Sequence, residues 1–164
     1  MNKEFKEILT GLLIDPFLKK VTNVKVENDL KDFYRHIGCS MVEVVGLTQY
    51  SDNDIWVDEE GLLKSHQRFF KVSDLPFNHH GVIAGRGLIL GNGGEGNAIS
   101  CDLSIEDILP RISWDFAHNG KIYNSETGLF TRVEVINSNK VNLNNPLDVS
   151  DALIDNIKSI HVIE

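Results

Sequence analysis

Residues 11–27 read GLLIDPFLKKVTNVKVE, and this stretch decides the fold. Gly11–Ile14 is a short apolar run closed by Asp15-Pro16, a turn signal that proline's fixed φ reinforces. From Val21 the pattern turns to alternation, with Val24 and Val26 two positions apart among polar residues, which is the period of a half-buried strand. Two strands joined by so short a turn predict an antiparallel hairpin. Asn28-Asp29 then supplies a helix cap, and Leu30, Phe33, Tyr34 and Ile37 fall at i, i+3, i+4 and i+7 on one apolar stripe. Gly38 is the natural stop. Strand, strand, helix and a returning strand over Met41–Leu47 predict an α+β fold. Its sheet is mixed or antiparallel, with one or two short helices.

Working outward, residues 1–10 place Phe5, Ile8 and Leu9 at helical spacing, which reads as a short helical turn or a frayed end. Beyond the returning strand, SDND at 51–54 is a turn, and IWVDEEGLL at 55–63 reads as a second hairpin with Glu60-Gly61 at its tip. Phe69 and Phe70 form a short apolar patch. Residues 73–96 hold seven of the thirteen glycines, with one clear strand, LILG at 88–91. Such loops either make tight turns or let backbone approach a ligand closely. Ser104 and Asp107 form a near capping box for a helix that Pro110 keeps short. ISWDFA, GKIYN and LFTRVEVIN then read as strands, with Asn119-Gly120 the strongest hairpin signal in the chain. The terminal DALIDNIKSIHVI is open between helix and strand. The division expected is a core domain over 1–101 and a β-rich C-terminal extension over 102–164, a form compatible with homo-oligomerisation.

Composition bounds the function. Sixteen basic and 24 acidic residues leave 164 residues with a net charge of −8 and an isoelectric point near 5.2. An acidic chain repels a phosphate backbone, so duplex nucleic acid is excluded as a default partner. Cys39 and Cys101 are 62 positions apart and outside any CxxC pair, which argues against a disulfide scaffold or a cysteine zinc site and for reduced, partly buried thiols. The N-terminal apolar stretch is broken by Thr10, Gly11, Asp15 and Pro16, unlike a signal peptide, and no run approaches the roughly 20 residues of a membrane span. The expected location is the cytoplasm of a host cell, with no membrane partner.

No catalytic constellation is legible, and neither a cofactor nor a metal is implied. GRGLILGNGG holds Gly85 and Gly87 as GxG but leads into a strand, so it is neither a dinucleotide fingerprint nor a P-loop. The same loop can present backbone N–H groups and the Arg86 guanidinium to an anion, or it can be a turn with a solvated arginine. His79 and His80 are adjacent and diverge on a strand, which disfavours a shared metal. Asp58-Glu59-Glu60 could act as paired carboxylates or bind a cation, but the sequence is also good turn chemistry. Trp56, Phe69, Phe70 and Phe77 are core candidates. If one face is open, such rings with Arg68 and Arg86 suit a flat base and a phosphate. The candidate ligand-binding residues are therefore Gly85, Arg86, Gly87, Arg68, Trp56, Phe70 and Asn78.

Taken together, residues 11–45, IWVDEEGLLK, the Phe69-Phe70 pair and IAGRGLILG resemble a family of domains of unknown function widespread in phage, plasmid and other mobile-element genomes. The shared pattern is an IDP hairpin, a Y..IGC helix end, a VDEEG hairpin and a closing GxGLxLG strand, over residues 11–101. The resemblance implies a compact α+β domain and a mobile-element setting, and it transfers no activity and no catalytic residue. The tail from Asp102 to Glu164 departs from the short form of the family. Three functions follow as expectations. One is non-enzymatic capture of a small anionic ligand, a cyclic nucleotide or ADP-ribose derivative, sequestering a nucleotide immune signal of anti-phage defence. Another is an interaction module or inhibitor that binds a host protein through its acidic surface. The third is a small metal-dependent hydrolase using Asp58, Glu60 and a histidine.

Overall fold

The computed structural model describes residues 5–47, 52–73, 81–135 and 160–163. The chain divides into two compact units, residues 1–113 and 114–164. In the first, β1 (Ile8–Asp15) and β2 (Lys20–Glu27) form the expected hairpin, paired residue for residue from Ile8–Glu27 to Asp15–Lys20. Ile8 and Leu9 are strand residues rather than a helical turn, because Leu9 is needed on the sheet's buried face. Asp15 makes the turn: its carboxylate accepts the N–H groups of Phe17 (2.9 Å) and Leu18 (3.2 Å).

Helix α1 (Leu30–Ile37) has the bounds its apolar stripe predicts. Asp29 caps it by accepting the Lys31 N–H, and Gly38 ends it in the left-handed region at φ 81°, where a residue without Cβ fits best. Next come β3 (Val42–Gly46) and β4 (Asn53–Asp58), paired with each other. The glycine-rich stretch supplies β6 (Val82–Ala84) and the central strand β7 (Gly87–Asn92). With the short β8 (Ala98–Ile99), these build a six-stranded sheet ordered β2-β1-β7-β4-β3, β8 pairing with β7.

The sheet's two faces are covered differently. On one, Leu9, Val26, Leu88 and Leu90 pack under Phe33 and Ile37 of α1. On the other lie Ile55 and the glycine seat at Gly87, where a Cβ would stand 2.7 Å from Ile55 Cδ1 and 3.1 Å from Phe70 Cζ. Phe70 belongs to β5 (Phe69–Val72), the middle of a second sheet ordered β6-β5-β9, whose last strand is β9 (Ile112–Ser113). Burial of Leu12, Ile14, Ile55, Phe70 and Ile89 from solvent is the main favourable contribution here.

The second unit holds a four-stranded antiparallel sheet of β10 (Phe116–His118), β11 (Lys121–Asn124), β12 (Leu129–Val135) and β13 (Ile160–Ile163), in that order. Asn119 and Gly120 both have positive φ (49° and 71°), the two-residue turn that Asn-Gly favours. Tyr123 is buried between Phe116 and Phe130, with ring centroids 5.0 Å from each.

Several expectations are corrected. The fold is mostly β rather than α+β: among the described residues thirteen strands form three sheets, all antiparallel, the second of the two sheet types expected, against two short α-helices. The apolar stripe spans only eight residues before Gly38 ends it. The capping box at Ser104 does form, but its helix α2 (Ile105–Ile108) is one turn, tightened into a 3-10 turn at Leu109–Arg111 by Pro110. Residues 55–63 do not make a hairpin. β4 ends at Asp58 and the chain enters a 3-10 turn over Gly61–Leu63, while β4 pairs with β3 and β7 instead. Residues 102–113 fall within the first compact unit, where Asn53 Nδ2 donates to Asp102 Oδ1 at 2.6 Å and β9 pairs with β5; this leaves the expected division into a 1–101 domain and a 102–164 extension neither borne out nor overturned. Among the described residues no helix is long and apolar enough to cross a membrane.

Candidate functional site

The glycine loop places Arg86 at the C-terminal end of α1. Its Nε donates to Asp15 Oδ2 at 3.0 Å, and its guanidinium carbon lies 4.9 Å from the centre of the Phe17 ring. The atom nearest to a Cβ built on Gly38 is Arg86 Nη1, at 3.2 Å. Lys64 approaches the same helix end, donating to the Gly38 carbonyl at 3.3 Å and pairing with Asp58. Two cations therefore face the negative end of the α1 dipole. Arg86 is a clamp between the first hairpin and the helix, 35% exposed, with its carboxylate partner already in place.

The other end of α1 opens into a groove of about 580 Å³, within the range of ligand clefts. Trp56 and Phe33 form its floor, edge to face with centroids 5.1 Å apart at 65°. Val42 and Tyr34 also line it, together with the polar side chains of Asp29 and Asn97. Lys6, bonded to the Asp29 carboxyl, holds it below its ordinary value of 3.8, helped by the Lys31 N–H. The site thus combines aromatic faces with acceptor groups, and among the described residues that line it none has a cationic side chain. Such a surface favours apolar and positively charged groups, the latter over the rings of Trp56 and Tyr34.

The remaining sequence candidates are dispersed. Phe70 is fully buried and offers no face to a ligand. Gly87 is a buried strand residue, and its missing Cβ makes room for Ile55 and Phe70. Gly85 adopts φ 80° beside the Gln67 side chain, and its N–H donates to the Arg68 carbonyl at 2.8 Å, so Gly85 and Arg68 extend the β5–β6 ladder by one pair. Asn78, Phe77, His79 and His80 lie outside the described residues. Asp58 is held by Lys64 and accepts the Glu60 N–H at 3.0 Å, which is turn chemistry. Among the described residues no group of three or more His, Cys, Asp or Glu side chains could hold a metal ion. Cys39 and Cys101 are free and half-buried, and burial raises both thiols above their ordinary value.

Comparison with known families bears on residues 9–112, which match the model of a domain of unknown function, DUF3846. The chain belongs to the DUF3846 family. No curated protein and no solved structure matches it. The DUF3846 match runs beyond the 11–101 span of the sequence resemblance and stops one residue short of the end of β9.

Within this DUF3846 domain, sequence reasoning singled out Trp56 but not the groove around it. Phe33 and Tyr34 read as helix stripe, and Asp29 as a cap. One signal was available. In β4 the buried parity is Asn53, Ile55 and Val57, and Trp56 sits on the other parity between Asp54 and Asp58. A tryptophan on the polar face of a strand marks a surface that something covers, here the helix on one side and open groove on the other.

Proposed function

We propose that this chain is a non-enzymatic accessory protein of phage or other mobile elements. In this reading it acts in the host cytoplasm as an interaction module, docking on a host protein through the groove beside Trp56. The observation that carries it is an aromatic groove built partly from β3 and β4, whose stretch of the chain is acidic in sequence. Residues 41–64 hold six carboxylates and one lysine, a net of −5 in a chain of −8. The single lysine, Lys64, is committed to Asp58. Buried aromatic anchors surrounded by complementary charge are what protein interfaces use. The mobile-element setting is supported by the family resemblance.

Sequestration of a small anionic ligand, such as a cyclic nucleotide or ADP-ribose derivative, is the second reading. The groove's volume of about 580 Å³ is large enough for such a ligand, but its described lining offers an anion no cationic side chain. Arg86 weighs against it, because the guanidinium would have to leave Asp15, Phe17 and the end of α1 together. The two readings separate in one experiment. Immobilised full-length protein is presented with bacterial host lysate, beside Trp56→Ala and Arg86→Ala variants of verified fold. The same proteins are screened by thermal shift against cyclic oligonucleotides and cyclic ADP-ribose forms. A stoichiometric host protein retained by wild type and Arg86→Ala but lost by Trp56→Ala supports the interaction module. An empty capture lane with a saturable thermal shift that Arg86→Ala abolishes replaces it with ligand sequestration.

A further inference from the structure

We propose that the outer edge of β3 accepts an extended, lysine- or arginine-rich segment of a partner protein as an added strand. This rests on the interaction-module reading and names its partner chemistry and binding mode. β3 ends the six-stranded sheet, and among the described residues no strand pairs with its outer side. The inward bonds fix which groups point out. Glu59 N–H donates to the Met41 carbonyl at 3.2 Å and Leu47 N–H to the Asn53 carbonyl at 3.3 Å. In an antiparallel ladder such bonds fall on alternate residues, so 41, 43, 45 and 47 face β4. Val42, Val44 and Gly46 therefore turn their N–H and C=O groups away from the sheet.

The two edges of this sheet differ. β2, at the far side, carries exposed Lys20 and Lys25, the kind of charge that keeps an edge from pairing. β3 reads VEVVG, with neither lysine nor proline. Val44 is 44% exposed and lies directly across from Trp56 in register. Val42 shares that face and lines the groove. A strand added beside β3 would set its alternate side chains along a continuous strip of Val42, Val44 and Trp56. The charge on residues 41–64 selects the occupant. A second copy of the chain brings the same acidic segment and is repelled, whereas a basic segment is attracted.

The test uses isotopically labelled full-length protein titrated with a blocked alternating Lys-Val decapeptide, and with the same peptide N-methylated on alternate residues. Val44→Pro removes an outward N–H and leaves the β3–β4 bonds intact; Val44→Lys is the second variant should the proline disturb folding. The expected result is shifts concentrated on residues 42–46, new exchange protection at Val42, Val44 and Gly46, and binding weakened about tenfold or more by N-methylation and by either variant. Binding that spreads over the acidic surface and ignores both variants and methylation means charge attraction alone and overturns the proposal. So does no binding, or a dimer that protects the same amides without peptide. If Val44→Pro still captures the host protein that Trp56→Ala loses, the interaction module stands and strand addition falls.

Discussion

Arg86 reaches across 71 positions of sequence to Asp15, Nε to Oδ2 at 3.0 Å, and lies over the ring of Phe17, two residues further along the same turn. One side chain thus fixes the tip of the first hairpin, the entry to the central strand and the end of α1. The loop that resembles an anion cradle in sequence already contains its anion, a carboxylate of the protein itself.

Removing that clamp leaves Asp15 without its counter-charge at a site where its side chain is only 12% exposed. Arg86→Ala is expected to cost about 1–2 kcal/mol, limited by the arginine's own exposure to screening solvent. Arg86→Lys should recover only part, since a point charge cannot hold the carboxylate and cover the ring as a planar guanidinium does. Urea unfolding of the full chain measures both. A wild-type midpoint for Arg86→Ala would show the pair to be inert.

Acid stability should depend on the N-terminal end of α1. Asp29 is held below 3.8 by Lys6 and the Lys31 N–H. Burial raises Asp32, but the Glu27 N–H, Arg35 and His36 outweigh it, and its value also falls below 3.8. For a carboxyl lowered on folding, the stabilisation is present above the ordinary value and is lost as pH falls through the folded one. The wild type should therefore lose stability as pH drops below 3.8. Asp29→Asn keeps a good cap but no titrating charge. It should be less stable at pH 7 and show a shallower decline in acid. Trp fluorescence followed through urea unfolding at each pH reads this, and parallel curves for the two proteins would refute it.

Two glycines in the first sheet should differ in their tolerance of alanine. At Gly11 a Cβ would stand 2.8 Å from the Ile89 carbonyl oxygen, a backbone atom fixed in the ladder. At Gly87 the close atoms are side-chain ends, Ile55 Cδ1 at 2.7 Å and Phe70 Cζ at 3.1 Å. Gly87→Ala should cost about 1–3 kcal/mol, and Gly11→Ala more. Adding Ile55→Val, which removes Cδ1, should restore part of the Gly87→Ala loss and none of the Gly11→Ala loss. Thermal melts of the four variants decide the order.

In the second unit, Tyr123 is fully buried between Phe116 and Phe130. Tyr123→Ala should cost about 3–5 kcal/mol there, by the usual consequence of emptying a large aromatic site. Amide exchange at Ile122, Thr131 and Phe130 would report it, and unchanged protection would show that the ring cluster does not hold this sheet.

Local signals reached far into this protein. The turn at Asp15, the bounds of α1, the capping box at Ser104 and the Asn119-Gly120 hairpin all follow from interactions within a few residues, so a linear reading finds them. That reading weighted the one amphipathic helix as a structural layer and expected α+β. The balance between helix and sheet depends on how many strands pair, and the six-stranded sheet joins positions as distant as Ile14 and Gly87. The same limit governs the site. Sequence showed that Arg86 stands in a glycine loop and that Trp56 sits among carboxylates. Only the folded chain decided that Asp15 would reach the arginine, and that Phe33 would leave one side of the tryptophan open, because both outcomes depend on contacts between segments that chain connectivity does not bring together.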